Sequence, residues 1–493
     1  MSATGTSTGD LIAIVSNLAK ARVLCVGDAM LDKFVSGAVE RISPEAPVPV
    51  LRIDGETAML GGAGNVARNV VALGAQVSLV ATVGDDLAGE EVERLLLGLG
   101  RATPQLVIDA ERPTAIKTRF VAGTQQMLRA DWETTKPLAP GTGAALVGAV
   151  KERLADHDVL VLSDYGKGVL ADGRAAELIA MARDAGKPVI VDPKGRDYGI
   201  YADADVITPN RRELAEASGA TTGDVDAAAR AAAGLRGDHG FGAVLATLSQ
   251  DGMVIVSEAG TEHLSAEAQE VFDVSGAGDT VVAALASGLG SGAALADSAR
   301  LANVCAGIVV GKVGTAAAYM TEAIATLHHQ DISRAEAKLM TASQAADRAE
   351  VWRRQGLKVG FTNGCFDLLH PGHISLLAQA RGACDRLIVG LNSDASVARL
   401  KGDGRPVQNE AARATVLASL ASVDLCVIFE DDTPLDLIGA LKPDVLVKGA
   451  DYALADVVGA EEVQSWGGRV VLADLEEGFS TTATIARLAG DRA

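Results

Sequence analysis

Aromatic residues are scarce in this chain: Phe, Tyr and Trp together make up 3% of 493 residues, while hydrophobic residues make up 48%. With Ala and Val carrying much of that fraction, the interior must be aliphatic. Basic residues are in deficit, 44 Lys and Arg against 64 Asp and Glu, giving a formal net charge of −20 and a pI near 4.8. That balance argues against nonspecific binding to nucleic acid or to an anionic membrane, so any phosphate site must be a local basic feature. The five cysteines, Cys25, Cys305, Cys365, Cys384 and Cys426, are scattered, odd in number and without a CxxC pair. They read as reduced core residues of a cytoplasmic protein, neither disulfide partners nor zinc ligands. No uninterrupted apolar stretch of about 18 residues occurs, which excludes an obvious membrane helix. Met1–Asp10 is polar and lacks a basic start, so no secretory signal is expected.

What the chain does have is length and alternation. Its 493 residues exceed one core and call for two to four domains on a prior of about 150 residues each. Arg22–Asp28, Val159–Ser163, Pro188–Asp192, Val206–Thr208 and Ala243–Leu248 are short apolar strands separated by helical stretches. Such alternation predicts a mostly parallel sheet with helices on both faces, and it crowds Asp164, Asp192, Lys194 and Asn210 on one rim. The Pro-broken segment Ile42–Val50 cannot be helical and reads as an edge or lid. His328–Glu350 is polar and rich in Ala, Gln, Asp and Arg, and a linker over 328–355 is expected between two independently folding units, 1–327 and 356–493. His328 and His329 sit in no metal-ligand pattern and are expected at the surface.

The most specific chemistry lies in Asp273-Val-Ser-Gly-Ala-Gly-Asp-Thr280, followed by the apolar run Val281–Ala286. Small residues from Ser275 to Gly278 let the backbone turn tightly and present N–H groups to an anion at a helix start. Asp279, at the helix mouth, would be held ionised by the helix field and could accept a proton from a hydroxyl. No Gly-Lys-Ser/Thr follows, which excludes a P-loop, and the third glycine of a dinucleotide fingerprint is missing. The motif resembles the signature of the ribokinase-like carbohydrate kinases. That resemblance implies Asp279 as catalytic base and the backbone at Gly276, Ala277 and Gly278 as an anion hole.

Other stretches agree in order. Leu60-Gly-Gly-Ala-Gly-Asn65 matches the family's sugar-binding GGxxxN pattern, implying that Gly61 and Gly62 let a polyol approach and that Asn65 offers it a donor and an acceptor. Asp28, at a strand's carboxyl end, is implied to bind sugar hydroxyls. Thr208-Pro-Asn-Arg-Arg-Glu213 resembles the NxxE motif, implying that Asn210, Arg211, Arg212 and Glu213 organise phosphate and that Glu213 orders Mg²⁺ through water. Asn210 also suits a helix cap, and both readings stand at this point. The Ile42–Val50 segment is similar to one in heptose kinases.

In the second half, Lys358–Thr362 is a strand and Asn363-Gly-Cys-Phe-Asp-Leu-Leu-His-Pro-Gly-His373 leads into a helix. His370 and His373 bracket a Pro-Gly turn at that helix start, which places two donors beside an anion site. A zincin is excluded because the HExxH glutamate and spacing are absent. The stretch resembles the HxGH motif of nucleotidyltransferases with a cytidylyltransferase-like Rossmann fold. The resemblance implies catalytic His370 and His373, and nucleotide contacts from Asn363, Gly364, Phe366, Lys401 and Lys448. It extends to Ser480, Thr481 and Thr482 in a closing ISTT-like motif. Where such enzymes commonly carry an Arg shortly before that motif, Leu475 stands here, so positive charge falls to Lys401, Lys448 or Arg487. Arg405 and Arg413 are further basic candidates or surface ion-pair partners.

From Arg22 to about Leu488 the chain resembles the bifunctional heptose kinases and adenylyltransferases of ADP-heptose synthesis. The fold so implied is α/β throughout: a ribokinase-like three-layer α/β/α domain followed by a Rossmann-like nucleotidyltransferase domain. ATP and Mg²⁺ are the implied cofactors and sugar phosphates the partners, in a homodimer, with neither nucleic acid nor membrane involved. A separate phosphatase would act between the two steps, since no phosphatase motif is visible. Two alternatives remain open from sequence: a different sugar phosphate, or CTP in the second unit. A sugar-sensing scaffold is disfavoured by intact Asp279, His370 and His373.

Overall fold

The computed structural model describes residues 8–474, apart from 124, 268–270, 313, 403, 451–452 and 454–455. The chain divides into two compact units at Leu327 and His328. No helix among the described residues is long and apolar enough to cross a membrane.

Among the described residues of the first unit, nine strands form one sheet. Arg22–Gly27 lies between Val159–Ser163 and Gln76–Val83, paired in parallel to both, with Val23 opposite Val159 and Val77. Strands Ala102–Ile108, Val189–Asp192, Val206–Ile207 and Ala243–Thr247 continue the parallel pattern outward, and Met253–Ser257 and Gly260–Leu264 close one edge antiparallel. Because strand side chains alternate faces, the uninterrupted apolar runs of the central strands serve two cores at once. Val23, Cys25, Val159 and Val161 go to one core, and Leu24, Val26, Leu160 and Leu162 to the other.

The first of these cores holds no aromatic side chain among its described buried residues, as the composition required. The helix Ala277–Gly290 supplies Val281 to Ala286 to it, all fully or nearly fully buried. Small residues let that helix approach its neighbour Leu295–Val310 closely: a Cβ on Gly288 would meet Ser298 Oγ at 2.5 Å. Burial of this size is what holds a Gly- and Ala-rich helix in place, since its intrinsic propensity is modest.

A second, four-stranded sheet of Pro49–Gly62, Ala29–Ile42, Ala115–Ala122 and Gln125–Trp132 grows from the end of the first strand. The Ile42–Val50 segment forms the hairpin tip of this sheet, closed by Ser43 N–H donating to the Val48 carbonyl at 2.8 Å.

In the second unit, five parallel strands are ordered Leu425–Phe429, Arg386–Asn392, Val359–Gly364, Val445–Gly449 and Arg469–Ala473. The order reverses direction beside Val359–Gly364, which creates the crevice at the strands' carboxyl ends where such sheets bind ligands. The linker expected over 328–355 is too long. Thr341 caps the helix Ala342–Arg354 with a capping box, and Ala345, Ala349 and Trp352 pack into this unit's core. Met340 N–H also bonds to the Cys426 carbonyl at 3.1 Å. Apolar residues on one face of that helix override the polar average that made the stretch read as a connector.

Candidate active sites

In the first unit, a cavity of about 200 Å³ opens over the rim of the nine-stranded sheet, lined by Asp164, Tyr165, Asp192, Lys194, Asn210, Glu213, Gly276, Gly278 and Asp279. Gly276 takes a left-handed turn (φ +80°) that starts the helix bearing Asp279. A Cβ there would stand 2.9 Å from the Asn65 amide nitrogen, so the position also needs glycine for room. The Ala277 N–H closes a turn onto the Val274 carbonyl at 3.3 Å. First-turn donors of a helix, here Gly278 and Asp279, have no intrahelical acceptor and are available to an anion.

Asp279 is buried and doubly held. Tyr165 Oη donates to its Oδ1 at 2.6 Å and Asn65 Nδ2 to its Oδ2 at 2.7 Å. Asn65 is fixed through Asn69, whose amide donates to the Asn65 carbonyl at 3.0 Å and whose Oδ1 accepts from Thr280 Oγ1 at 2.9 Å. The helix Ala63–Ala72 is thus pinned to the Asp279 helix by side chains of both motifs. Burial pushes the Asp279 carboxyl up to about 6, against the pull of the bonds from Tyr165 and Asn65, with Asp32 adding to the rise and Lys117 opposing it. Desolvation therefore outweighs the helix field, and the carboxylate, still largely ionised at neutral pH as expected, becomes a stronger base. Asp192 is partly buried at the end of its strand, and its carboxyl is pushed well above the usual range by desolvation, then by Asp279 and Glu213.

The two readings of Asn210 and Glu213 prove compatible. Asn210 Oδ1 accepts from Glu213 N–H at 3.0 Å and Glu213 Oε2 from Asn210 N–H at 3.1 Å, a complete capping box, while both residues line the cavity. Glu213 Oε1 also pairs with Lys194 Nζ at 2.8 Å. Arg211 and Arg212, expected at the nucleotide, are not placed there. Arg211 turns to the Thr222 and Leu248 carbonyls and Asp251, and Arg212 is exposed and pairs with Glu216 at 2.6 Å. Helical geometry explains this, since neighbouring residues point about 100° apart and the cap fixes which face looks inward.

On the sugar side, Asp28 is 2% exposed, but its carboxylate accepts the backbone N–H groups of Tyr165 at 2.8 Å, Lys167 at 2.9 Å and Val169 at 3.3 Å. It shapes the loop that carries Tyr165, in place of the expected direct role towards hydroxyls. The glycines are likewise demanded by the protein itself. A Cβ on Gly62 (φ +57°) would stand 2.4 Å from the Asp28 carbonyl, and one on Gly61 within 2.9 Å of the Asp32 and Met30 side chains. Asp32, buried and paired with Arg119 at 3.1 Å, is the carboxylate that Gly61 makes room for. Tyr165 and Asp32 escaped the sequence reading: Tyr165 lies just past the strand Val159–Ser163 on the rim that alternation identified, and Asp32 lies within the strand Ala29–Ile42 of the small sheet.

In the second unit, Asn363 and Gly364 end the central strand, and Lys448 on the next strand donates to Asn363 Oδ1 at 2.5 Å. His370 occupies the N-cap of the helix Pro371–Gly382, with Pro at its first position, and the His370 and His373 rings stack at 3.8 Å and 19°. Phe366, in a left-handed conformation (φ +42°), packs against His373 at 5.1 Å. Burial, and then His370, hold His373 down at about 4, and burial also lowers His370. Lys401 ends the helix Asp394–Lys401 and is exposed. Lys401, Arg413 and Arg405 all oppose the burial that raises the Cys365 thiol, so the three cations gather around this loop. Arg405 and Arg413 are not surface pairs: Arg405 bonds to buried Asp367 at 2.5 Å, and Arg413, 1% exposed, bonds to the Cys365 carbonyl at 2.6 Å and to Asp394 at 2.7 Å. Ser480, Thr481, Thr482, Leu475 and Arg487 lie outside the described residues.

Each of the two units is similar to known proteins. Residues 20–322 match the pfkB family of carbohydrate kinases, and residues 361–485 match the cytidylyltransferase-like family. The chain is 61% identical to the bifunctional protein HldE of Paramagnetospirillum magneticum, over 98% of this chain and 100% of that protein. It is 58% identical to that of Rhodospirillum rubrum, over 98% of each. Phosphofructokinase-2 from Escherichia coli, in its complex with potassium, superposes on 63% of this chain and 99% of its own with a TM-score of 0.54 at 20% identity, a likeness of fold. With both domains matched in order and the similarity running end to end, the chain belongs to the HldE family of bifunctional proteins, a carbohydrate kinase joined to a nucleotidyltransferase.

Proposed function

We propose that the first unit transfers the γ-phosphoryl group of ATP to the anomeric hydroxyl of D-glycero-D-manno-heptose 7-phosphate. In this reading the second unit transfers AMP from ATP to heptose 1-phosphate, giving ADP-heptose and pyrophosphate. The observation that carries the reading is Asp279, a buried carboxylate raised to about 6 at a helix mouth, beside free first-turn donors. Asp279 takes the hydroxyl proton as the oxygen attacks phosphorus in line and ADP departs; Tyr165 and Asn65 orient the carboxylate. The Gly278 and Asp279 N–H groups receive charge developing on the transferred group.

Glu213 supplies the oxygen chemistry that Mg²⁺ takes, but Lys194 and the Asn210 N–H engage its two oxygens. Among the described residues, no group of three or more His, Cys, Asp or Glu could hold a metal. Glu213 would hold Mg²⁺ through water as a partner of the triphosphate, and the ion would offset the negative charge of the phosphates.

In the second unit the sugar phosphate oxygen is already ionised, so no protein base is needed. Lys448 and the stacked imidazoles, neutral in the free protein, offer donors to the α-phosphate as pyrophosphate leaves. The 7-phosphate must be lost between the two steps to a separate phosphatase. Both reactions belong in the cytoplasm, and a homodimer is the assembly we infer. Incubation with ATP, Mg²⁺ and a panel of sugar phosphates, with products identified by mass with and without added phosphatase, tests the whole scheme. A different sugar phosphate turned over in preference would replace the heptose assignment.

A further inference from the structure

We propose that Lys117, with Arg119 behind it, receives the phosphate that the sugar already carries, so that the kinase site selects a substrate with an anion at the end remote from the reacting hydroxyl. The inference rests on the kinase reading above. Lys117 lies on the strand Ala115–Ala122 of the small sheet, in parallel register with Asp32. Its ammonium stands 5.5 Å from the centre of the Tyr165 ring, and the Tyr165 hydroxyl is the group that holds Asp279. Lys117 is thus separated from the base by a single side chain.

The neighbouring cations have partners: Lys167 pairs with Glu133 at 2.6 Å and Arg119 with Asp32 at 3.1 Å. Among the described residues, no carboxylate comes within ion-pair distance of Lys117. Burial accordingly presses its ammonium towards the neutral form, and Lys167 adds to that pressure while Asp32 and Glu133 oppose it. A half-buried ammonium facing a second cation is costly until an anion enters. The Arg119 and Asp32 pair also has capacity to spare, because Arg119 Nη1 and Asp32 Oδ1 are buried without a hydrogen bond of good geometry. Arg119 can thus turn a donor to a phosphate oxygen and Asp32 an acceptor to a sugar hydroxyl. In a chain of net charge −20, such a cluster beside a kinase base is the local basic feature that an anionic sugar needs.

The test is steady-state kinetics of the full chain with heptose 7-phosphate and with the same heptose lacking phosphate. In Lys117→Met, the ratio of kcat/KM between the two sugars falls about 10–100-fold, the range of a charge-assisted hydrogen bond. The change sits mainly in KM for the sugar phosphate, KM for ATP stays within about twofold, and Lys117→Arg restores most of the loss. An unchanged ratio, or an equal rise in KM for ATP, overturns the proposal. Should Lys117→Met lower the melting temperature, competition with the wild-type protein decides: inorganic phosphate competes with heptose 7-phosphate and not with the unphosphorylated heptose, which leaves the anion site empty, if the proposal holds, and inhibits both sugars alike or neither if it does not. A wild-type protein that turns over no sugar phosphate sinks the kinase assignment itself, and this inference with it.

Discussion

Asp279 and His373 occupy similar places, each in the first turn of a helix, yet burial moves them in opposite directions, to about 6 and about 4. Both shifts favour the uncharged form, as desolvation must. Their chemical consequences diverge. A carboxyl raised to about 6 becomes a better base while remaining largely ionised at neutral pH, whereas an imidazole lowered to about 4 is a poor base and stays a neutral donor. In the proposed scheme the nucleophile gives each shift its use: a sugar hydroxyl must lose a proton, and a sugar phosphate has none to lose. The same physical term therefore serves opposite roles, and only the charge state of the incoming nucleophile tells them apart.

The contrast can be broken most sharply at the base. Asp279→Asn should reduce sugar phosphorylation about 10²–10⁴-fold while adenylyl transfer, read as pyrophosphate release, stays within about twofold. Equal loss of both would mean the two chemistries share a site. In the other unit, His373→Ala should slow pyrophosphate release about 10²–10³-fold and leave phosphorylation of the sugar intact. Full pyrophosphate release would remove His373 from the mechanism.

A third test concerns support of the second site. Arg413→Met leaves the Cys365 carbonyl without its donor and breaks the pair with half-exposed Asp394, and should destabilise the second unit by about 1–3 kcal/mol. Thermal unfolding followed by calorimetry would show one transition moving down while the other holds. The smallest effect sharpens the comparison. Tyr165→Phe removes a bond that lowers the Asp279 carboxyl, so the acid limb of kcat/KM for phosphorylation should move to higher pH. At pH 6 the rate should fall about threefold, with little change at pH 8. A limb that stayed in place or moved down would contradict the assignment of Asp279 as the titrating base.

Much of this was legible along the chain because it depends on local order. The GAGD turn, the Asn65 motif and the His370 to His373 turn each draw on residues a few positions apart, and the expected strands fall within a residue or two of those observed. Arg211 and Arg212 misled because a motif names a segment while the helical cap decides which side chains face in. Asp28 misled for a related reason: its position at a strand end is right, but three backbone N–H groups from a loop more than 130 residues away occupy it. The helix Ala342–Arg354 was hidden by averaging, since two alanines and a tryptophan carry its packing within a polar stretch.

Composition and periodicity alone determined the two-unit plan, the aliphatic interior and the helix starts where anions can bind, because these follow from nearest-neighbour chemistry and from the face a side chain occupies. Tertiary structure alone decided that Tyr165 and Asn65 meet on one carboxylate, that Asp32 rather than Asp28 is the acid left beside the sugar glycines, and that the two histidines stack. Contacts across 114 and 214 residues of sequence set those outcomes. Desolvation at such contacts depends on everything packed around them, so it becomes readable only once the chain has closed on itself.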